Sequence, residues 1–236
     1  MSGPRTALVS GASRGIGLAI AREFVARGLR VVMVARTAPV LNAAASELGA
    51  NAIAIACDVS DDPAVSRMLM AAAAELDGAP DVLVNNAGLF KLAPATDADP
   101  NDFARAIETN LVAPFRLIHG VLPAMRARRR GHIVSIGSIA DRVAFAENGA
   151  YAAGKFGLRG LHTVLRAELA NTGVRTTLVS PGPVDTELWD EVDPDNRPGF
   201  TPRASMLRAD AVANAVAFAV MQPPDVNIDE LRLSHS

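Results

Sequence analysis

Short apolar, β-branched runs separated by alanine-rich amphipathic segments recur along the whole chain, and this alternation constrains the fold more than any other feature. Residues 6–10 form the first run, 30–35 the second and 52–56 the third; further runs at 81–85, 132–136, 174–179 and 226–233 bring the expected strands to about seven. Helical patterns fall between them, over 16–27, then through Leu41 and Leu48 to a stop at Gly49. Another runs from Asp61-Asp62-Pro63 to Asp77-Gly78, and a long one starts near 101. The last two cover 150–170 and 209–221. Pro63 suits a first helical position, and the acids beside it favour the positive end of the helix dipole. Strand and helix in alternation imply a parallel sheet with helices on both faces. No composition break marks a second domain, so one doubly wound α/β domain over 1–236 is expected.

At 236 residues the chain is long enough for a large core. A formal net charge of −2 gives no electrostatic reason to invoke nucleic acid or an anionic membrane. The one basic run, Arg126 to Arg130, reads as a solvated helix end whose cations complement the dipole. No apolar run is long enough to span a bilayer and no basic leader precedes one, so a cytoplasmic placement is expected. Cys57 is the only cysteine, and its apolar neighbours imply a buried thiol. No metal-ligand pattern is read.

Five features carry chemistry. Ser10-Gly11-Ala12-Ser13-Arg14-Gly15-Ile16-Gly17 joins the first strand to the first helix. Glycines there permit a tight turn and close approach of a pyrophosphate to free helix N–H groups, although a structural turn is the alternative. The spacing is G-x-x-x-G-x-G, not the usual dinucleotide G-x-G-x-x-G. Asn85-Asn86-Ala87-Gly88 ends the fourth strand, where open α/β sheets bind ligands; a plain asparagine–glycine turn competes. Pro114 lacks an N–H and so is expected to free the carbonyl of Asn110 in a bent helix, or merely to kink it. Ser138 follows the fifth strand and is placed to bond a substrate oxygen, with Ser135 as its competitor. Tyr151 and Lys155, four positions apart, share a helix face. An ammonium there lowers the phenol pKa toward values useful for proton transfer.

Together these features resemble the short-chain dehydrogenase/reductase family in its shorter single-domain branch, over essentially the whole chain. The resemblance implies a Rossmann-like fold, a nicotinamide cofactor and a tetrad of Asn110, Ser138, Tyr151 and Lys155. It implies cofactor contacts from Gly11, Ser13, Arg14, Gly15, Ile16 and Gly17, from Asn86, Ala87 and Gly88, and from Tyr151 and Lys155. Asp58 and Val59 match the adenine side. Pro181, Gly182, Val184 and Thr186 match the segment whose valine and threonine contact the nicotinamide amide. Two departures stand out. Ser10 replaces a more usual threonine, and Gly154 stands where a serine commonly precedes the lysine, which puts the local helix geometry in question.

The expected activity is hydride transfer between NADP(H) and a carbonyl or alcohol, with Tyr151 as general acid/base. By resemblance, Lys155 holds the nicotinamide ribose, and Asn110 holds a water that refills the proton. A silent cofactor-binding sensor or scaffold is the alternative, and an epimerase or dehydratase a third. The second strand ends Ala35-Arg36 without an acid, so Arg36, with Arg14 opposite, is expected to read the 2′-phosphate of NADP(H). The substrate pocket is expected from 141–148, 90–93 and 186–207. The last segment, proline-rich and acidic with few apolar anchors, reads as a lid. Leu158, Leu161, Leu165 and Leu169 offer an apolar surface too broad for one sheet contact. With the resemblance, they imply a homotetramer or homodimer.

Overall fold

The computed structural model describes residues 3–236. Seven parallel strands are ordered β3-β2-β1-β4-β5-β6-β7: β1 (Thr6–Ser10), β2 (Arg30–Ala35), β3 (Ala52–Ala56), β4 (Val82–Asn85), β5 (Gly131–Ile136), β6 (Val174–Pro181) and β7 (Glu230–Leu233). The helices are α1 (Gly15–Ala26), α2 (Ala38–Leu48), α3 (Asp62–Leu76), α4 (Pro100–Ile107), α5 (Ala113–Ala127), α6 (Gly149–Glu168) and α7 (Ala209–Val220). The result is one Rossmann-like, doubly wound domain. Among the described residues no helix is long and apolar enough to cross a membrane.

Alternation along the strands divides the core. Ala7, Val9, Val31 and Met33 meet Ile20, Phe24, Val212 and Val216 on the face covered by α1 and α7. Leu8, Val32, Leu83 and Ile133 meet Leu117, Val121, Met125 and Leu165 on the face covered by α5 and α6. Period-2 side chains on a sheet buried from both sides produce these two layers. The chain begins in the middle of the sheet and reverses its winding between β1 and β4, so a crevice opens beyond their carboxyl ends.

Several expectations are corrected by side chains that stand in for main chain. The seventh strand is shorter than the expected 226–233, because Asn227 pairs by its amide with both Thr176 N (3.1 Å) and Thr176 O (3.1 Å) ahead of β7. Asp81 lies just outside β4. Its carboxylate instead accepts from Arg5 N (2.8 Å), Thr6 N (3.3 Å) and Arg130 Nη2 (3.0 Å). The basic run is exposed but employed: Arg128 donates to Ala79 O (2.8 Å) and Pro80 O (2.6 Å), and Arg129 to Asn171 O (2.9 Å). Leu158, Leu165 and Leu169 are buried in the chain's own core, and Leu161 is partly so. The exposed apolar residues of α5 and α6 are Phe115, Phe156 and Val164. The helix near 101 does not simply bend at Pro114. It widens into a π turn over Glu108–Val112, and Pro114 begins α5, where a missing N–H does least harm.

Two histidines bonded to β6 give the fold a pH limit. His132 is buried with Nε2 2.7 Å from Thr177 Oγ1; burial, aided by Arg175, pushes its pKa down to about 3. His162 is buried and lowered for the same first reason. An unfolded histidine takes a proton below about pH 6.5, but folded His132 refuses it until about pH 3, so stability falls as pH drops through this window. The loss from His132 at pH 5 is about 2 kcal/mol. Urea midpoints at pH 7 and pH 5 measure it. The drop should shrink in His132→Gln, and equal drops in the two proteins contradict the assignment.

Candidate active site

The crevice is a cleft with a cavity volume of about 380 Å³, bounded by the β1–α1 loop, the ends of β2 to β6, the start of α6 and the 186–189 segment. Of the residues predicted for catalysis and cofactor contact, only Gly17 and Asn110 stand back from its wall; of the expected substrate pocket, Phe90, Phe145, Asn148 and 186–189 line it, and the rest of those ranges does not. Ser10 braces one side: its hydroxyl donates to Val84 O (3.2 Å) and accepts from Asn86 N (3.0 Å) and Ala87 N (3.1 Å). Asn86 Nδ2 returns two bonds, to Ser10 O (3.0 Å) and Gly11 O (3.1 Å). These contacts press the glycine loop onto the end of β4, and a Cβ on Gly17 would lie 2.2 Å from Gly11 O. The first turn of α1 has no acidic residue and no side-chain cap from Arg14, so its N–H groups face the cleft unspent.

Arg14 and Arg36 are exposed at this end, and neither is ion-paired among the described residues. Asp58 lies close by. Burial raises its pKa, but the Ser60 hydroxyl and N–H and the Arg36 charge outweigh this and hold the carboxyl below its ordinary value.

At the other end, Tyr151 and Lys155 project from α6. Lys155 is 4 % exposed, donates from Nζ to Ile136 O (2.7 Å) and lies 5.5 Å from the Tyr151 ring centroid. Burial lowers its pKa to about 8, against a raising effect from Asp141. The phenol reaches the cleft yet is packed deeply enough that desolvation, offset by the Ser138 hydroxyl and reinforced by Asp141, pushes it up to about 12. The expected lowering by Lys155 is therefore corrected. The ammonium is engaged with a main-chain carbonyl, and burial decides the balance. Ser138 Oγ accepts from Ala140 N (3.1 Å) and lines the cleft beside the phenol.

Asn110 contributes its side chain. Fully buried in the π turn, it accepts from Leu89 N (2.9 Å) and donates to Leu89 O (2.9 Å), which fixes the strand of chain leading to Phe90. The unusual Gly154 has its reason here: a Cβ would stand 2.8 Å from Asn110 Cβ, so glycine lets α6 close on the π turn, and α6 stays unbroken.

Sequence reading missed three things. Asp141, expected in the pocket wall, is instead fully buried and holds Arg142 and Ser180, with Arg142 reaching on to Glu230 (2.6 Å). Phe200 completes an aromatic group with Phe145 and Trp189, each at 6.2 Å. The 186–207 segment is also better anchored than expected: Trp189 Nε1 donates to Val184 O (3.1 Å), and Arg203 ties Asp185 (2.8 Å) to Asp190 (2.5 Å). Only the oppositely charged residues themselves signalled this beforehand.

A sequence profile described as short chain dehydrogenase matches residues 5–197. The chain belongs to that family. The chain is 38% identical over 220 residues to the 3-oxoacyl-[acyl-carrier-protein] reductase of Escherichia coli (strain K12), covering 91% of this chain and 88% of that one. It is 37% identical over 221 residues to the D-threitol dehydrogenase of Mycolicibacterium smegmatis, covering 91% and 85%. Its fold superimposes on the closed form of serine dehydrogenase complexed with NADP+ (TM-score 0.88, 33% identity, 96% and 93% coverage). It also superimposes on the F189W actinorhodin polyketide ketoreductase with NADPH (TM-score 0.90, 30% identity, 98% and 96% coverage). The chain is thus an oxidoreductase by family.

Proposed function

We propose that this oxidoreductase interconverts a carbonyl and an alcohol with NADP(H), Tyr151 acting as general acid/base. The observation that carries the reading is the arrangement of one cleft: an uncapped helix terminus with two unpaired arginines at one end, and the Tyr151–Lys155 pair at the other. The residues present fit the cofactor. The N–H groups of Ser13, Gly15 and Ile16 suit a pyrophosphate, and the Gly11–Gly17 contact leaves the loop low enough for one to approach. Arg14 and Arg36 suit the 2′-phosphate, Asp58 and Val59 the adenine side, and Tyr151 and Lys155 the nicotinamide ribose. Pro181, Gly182, Val184 and Thr186 suit the nicotinamide amide, with Asn86, Ala87 and Gly88 forming the cleft floor. The NADP-complexed neighbours support this choice.

A bound nicotinamide supplies or accepts the hydride at the carbonyl carbon. Tyr151 Oη gives its proton to the oxygen as alkoxide character develops, and Ser138 Oγ holds that oxygen. A phenol at about 12 keeps its proton at neutral pH, as a proton donor must. Lys155, at about 8, is mainly cationic at pH 7 and stabilises the phenolate left behind. Asn110 positions Phe90 through Leu89. The 186–207 segment serves as a lid, and the exposed apolar faces of α5 and α6 support a homo-oligomer.

NADPH oxidation across a panel of ketones, aldehydes and keto esters tests the reading. Turnover of at least one class is expected. Tight NADPH binding with no oxidation across the panel would instead favour a silent sensor.

A further inference from the structure

Beyond Tyr151 the cleft changes character. Phe90 meets Tyr151 and Trp189 edge-on, at 4.9 and 5.1 Å, and Phe145 and Phe200 close the outer side at 6.2 Å. Rings in edge-to-face contact at these distances give this end of the cleft an apolar, aromatic wall. The cations lining the cleft are Arg14 and Arg36 at the far end and Lys155, which is held by Ile136 O. Arg197, at the mouth, stacks on Phe200 (4.8 Å) and is neutralised by Glu147. No lining cation at this end is free to hold an anionic group.

One polar side chain interrupts the apolar lining. Asn148 is 0 % exposed and lines the cleft with Phe145 and Tyr151. It stands at the N-cap of α6, where an asparagine ordinarily accepts from a first-turn N–H, and makes no such bond. Its Oδ1 and Nδ2 have no partner among the described residues. Buried amides are normally satisfied; Asn85 in β4 is also unpartnered, but Asn148 alone of the two lies on the cleft wall, where its amide is available to a ligand. Asn148 precedes Tyr151 by three residues, so the two stand on the first turn of α6 with Cβ atoms roughly 5–6 Å apart.

We infer that Asn148 determines substrate specificity. It recognises a second, neutral carbonyl or hydroxyl group about two or three bonds from the reacting carbonyl, on a substrate whose body is apolar. The inference rests on the proposed carbonyl–alcohol reaction. It assigns the reacting oxygen to Ser138 and Tyr151, the apolar body to the wall formed by Phe90 and Trp189, and the neighbouring polar group to Asn148.

The probes are 2-hydroxyacetophenone against acetophenone, which differ by the one hydroxyl. In wild type, kcat/KM with NADPH should favour the hydroxyketone at least tenfold. In Asn148→Leu and Asn148→Ala that ratio should fall about tenfold. A ratio within a factor of two of wild type in either folded variant overturns the inference. Binding is read separately from turnover through Trp189, the only tryptophan. In the Tyr151→Phe background with NADP+ bound, fluorescence should report tighter binding of 1-phenylethane-1,2-diol than of 1-phenylethanol. Adding Asn148→Leu should remove the difference. Equal affinities before that second change overturn the inference without relying on how the Asn148 variants fold. If wild type reduces no ketone at all, the catalytic reading fails, and the fluorescence difference still decides what Asn148 recognises.

Discussion

Tyr151→Phe should lower turnover of every accepted carbonyl by about 10²–10⁴-fold, the usual yield of a positioned general acid. The substitution removes one oxygen and keeps the ring. The edge contact with Phe90 at 4.9 Å survives, as does the bond from Lys155 to Ile136 O at 2.7 Å. Cofactor affinity, measured by quenching or enhancement of NADPH fluorescence, should therefore change little. The split between lost chemistry and retained binding is the signature of a proton donor. Near-wild-type turnover in this variant would dismiss Tyr151 from the mechanism, because no other lining phenol is present to replace it: Tyr151 is the only tyrosine in the chain.

Reversal of cofactor choice is the second large effect. Wild type should prefer NADPH over NADH tenfold or more, since a charged hydrogen bond to phosphate contributes about 1.5–3 kcal/mol. Ala35 closes β2 opposite Ala56 and is partly exposed to the cleft, so an aspartate there would meet the ribose hydroxyl and repel a 2′-phosphate. Ala35→Asp combined with Arg36→Leu should give an enzyme that prefers NADH. The relevant measurement is kcat/KM for both cofactors in both proteins. A wild type that treats them equally would show that Arg14 and Arg36, unpaired as they are, do not read the phosphate.

How much of this was legible beforehand depended on the range of the interaction. Six of seven strands follow from local apolar runs, because a sheet covered on both faces demands them at each step. The seventh was overestimated: Val226 to Asp229 read as strand, but Asn227 makes its pairing through a side chain to Thr176, 51 residues away. The basic run is the exposed helix end it read as, but its hydrogen bonds were not legible, since their targets, Ala79 and Pro80, lie 49 and 48 residues away from Arg128. The Tyr151–Lys155 pair was visible as a helix spacing. Its electrostatics were not, because burial depth decides them. Asn148 was legible only as part of a loop near the pocket. What distinguishes it, an amide with no partner, exists only once the chain is folded.

The Asp81 carboxylate gathers Arg5, Thr6 and Arg130 at the amino ends of the central strands, whereas the cleft lies at their carboxyl ends. Strands of four to six residues separate those ends by about 13–20 Å, beyond the distance over which substitutions normally couple. Changes that tighten the Asp81 end should therefore add to changes in the pocket without altering them. Heat tolerance and substrate choice thus become independent variables in this chain, to be selected on separate libraries and combined afterwards.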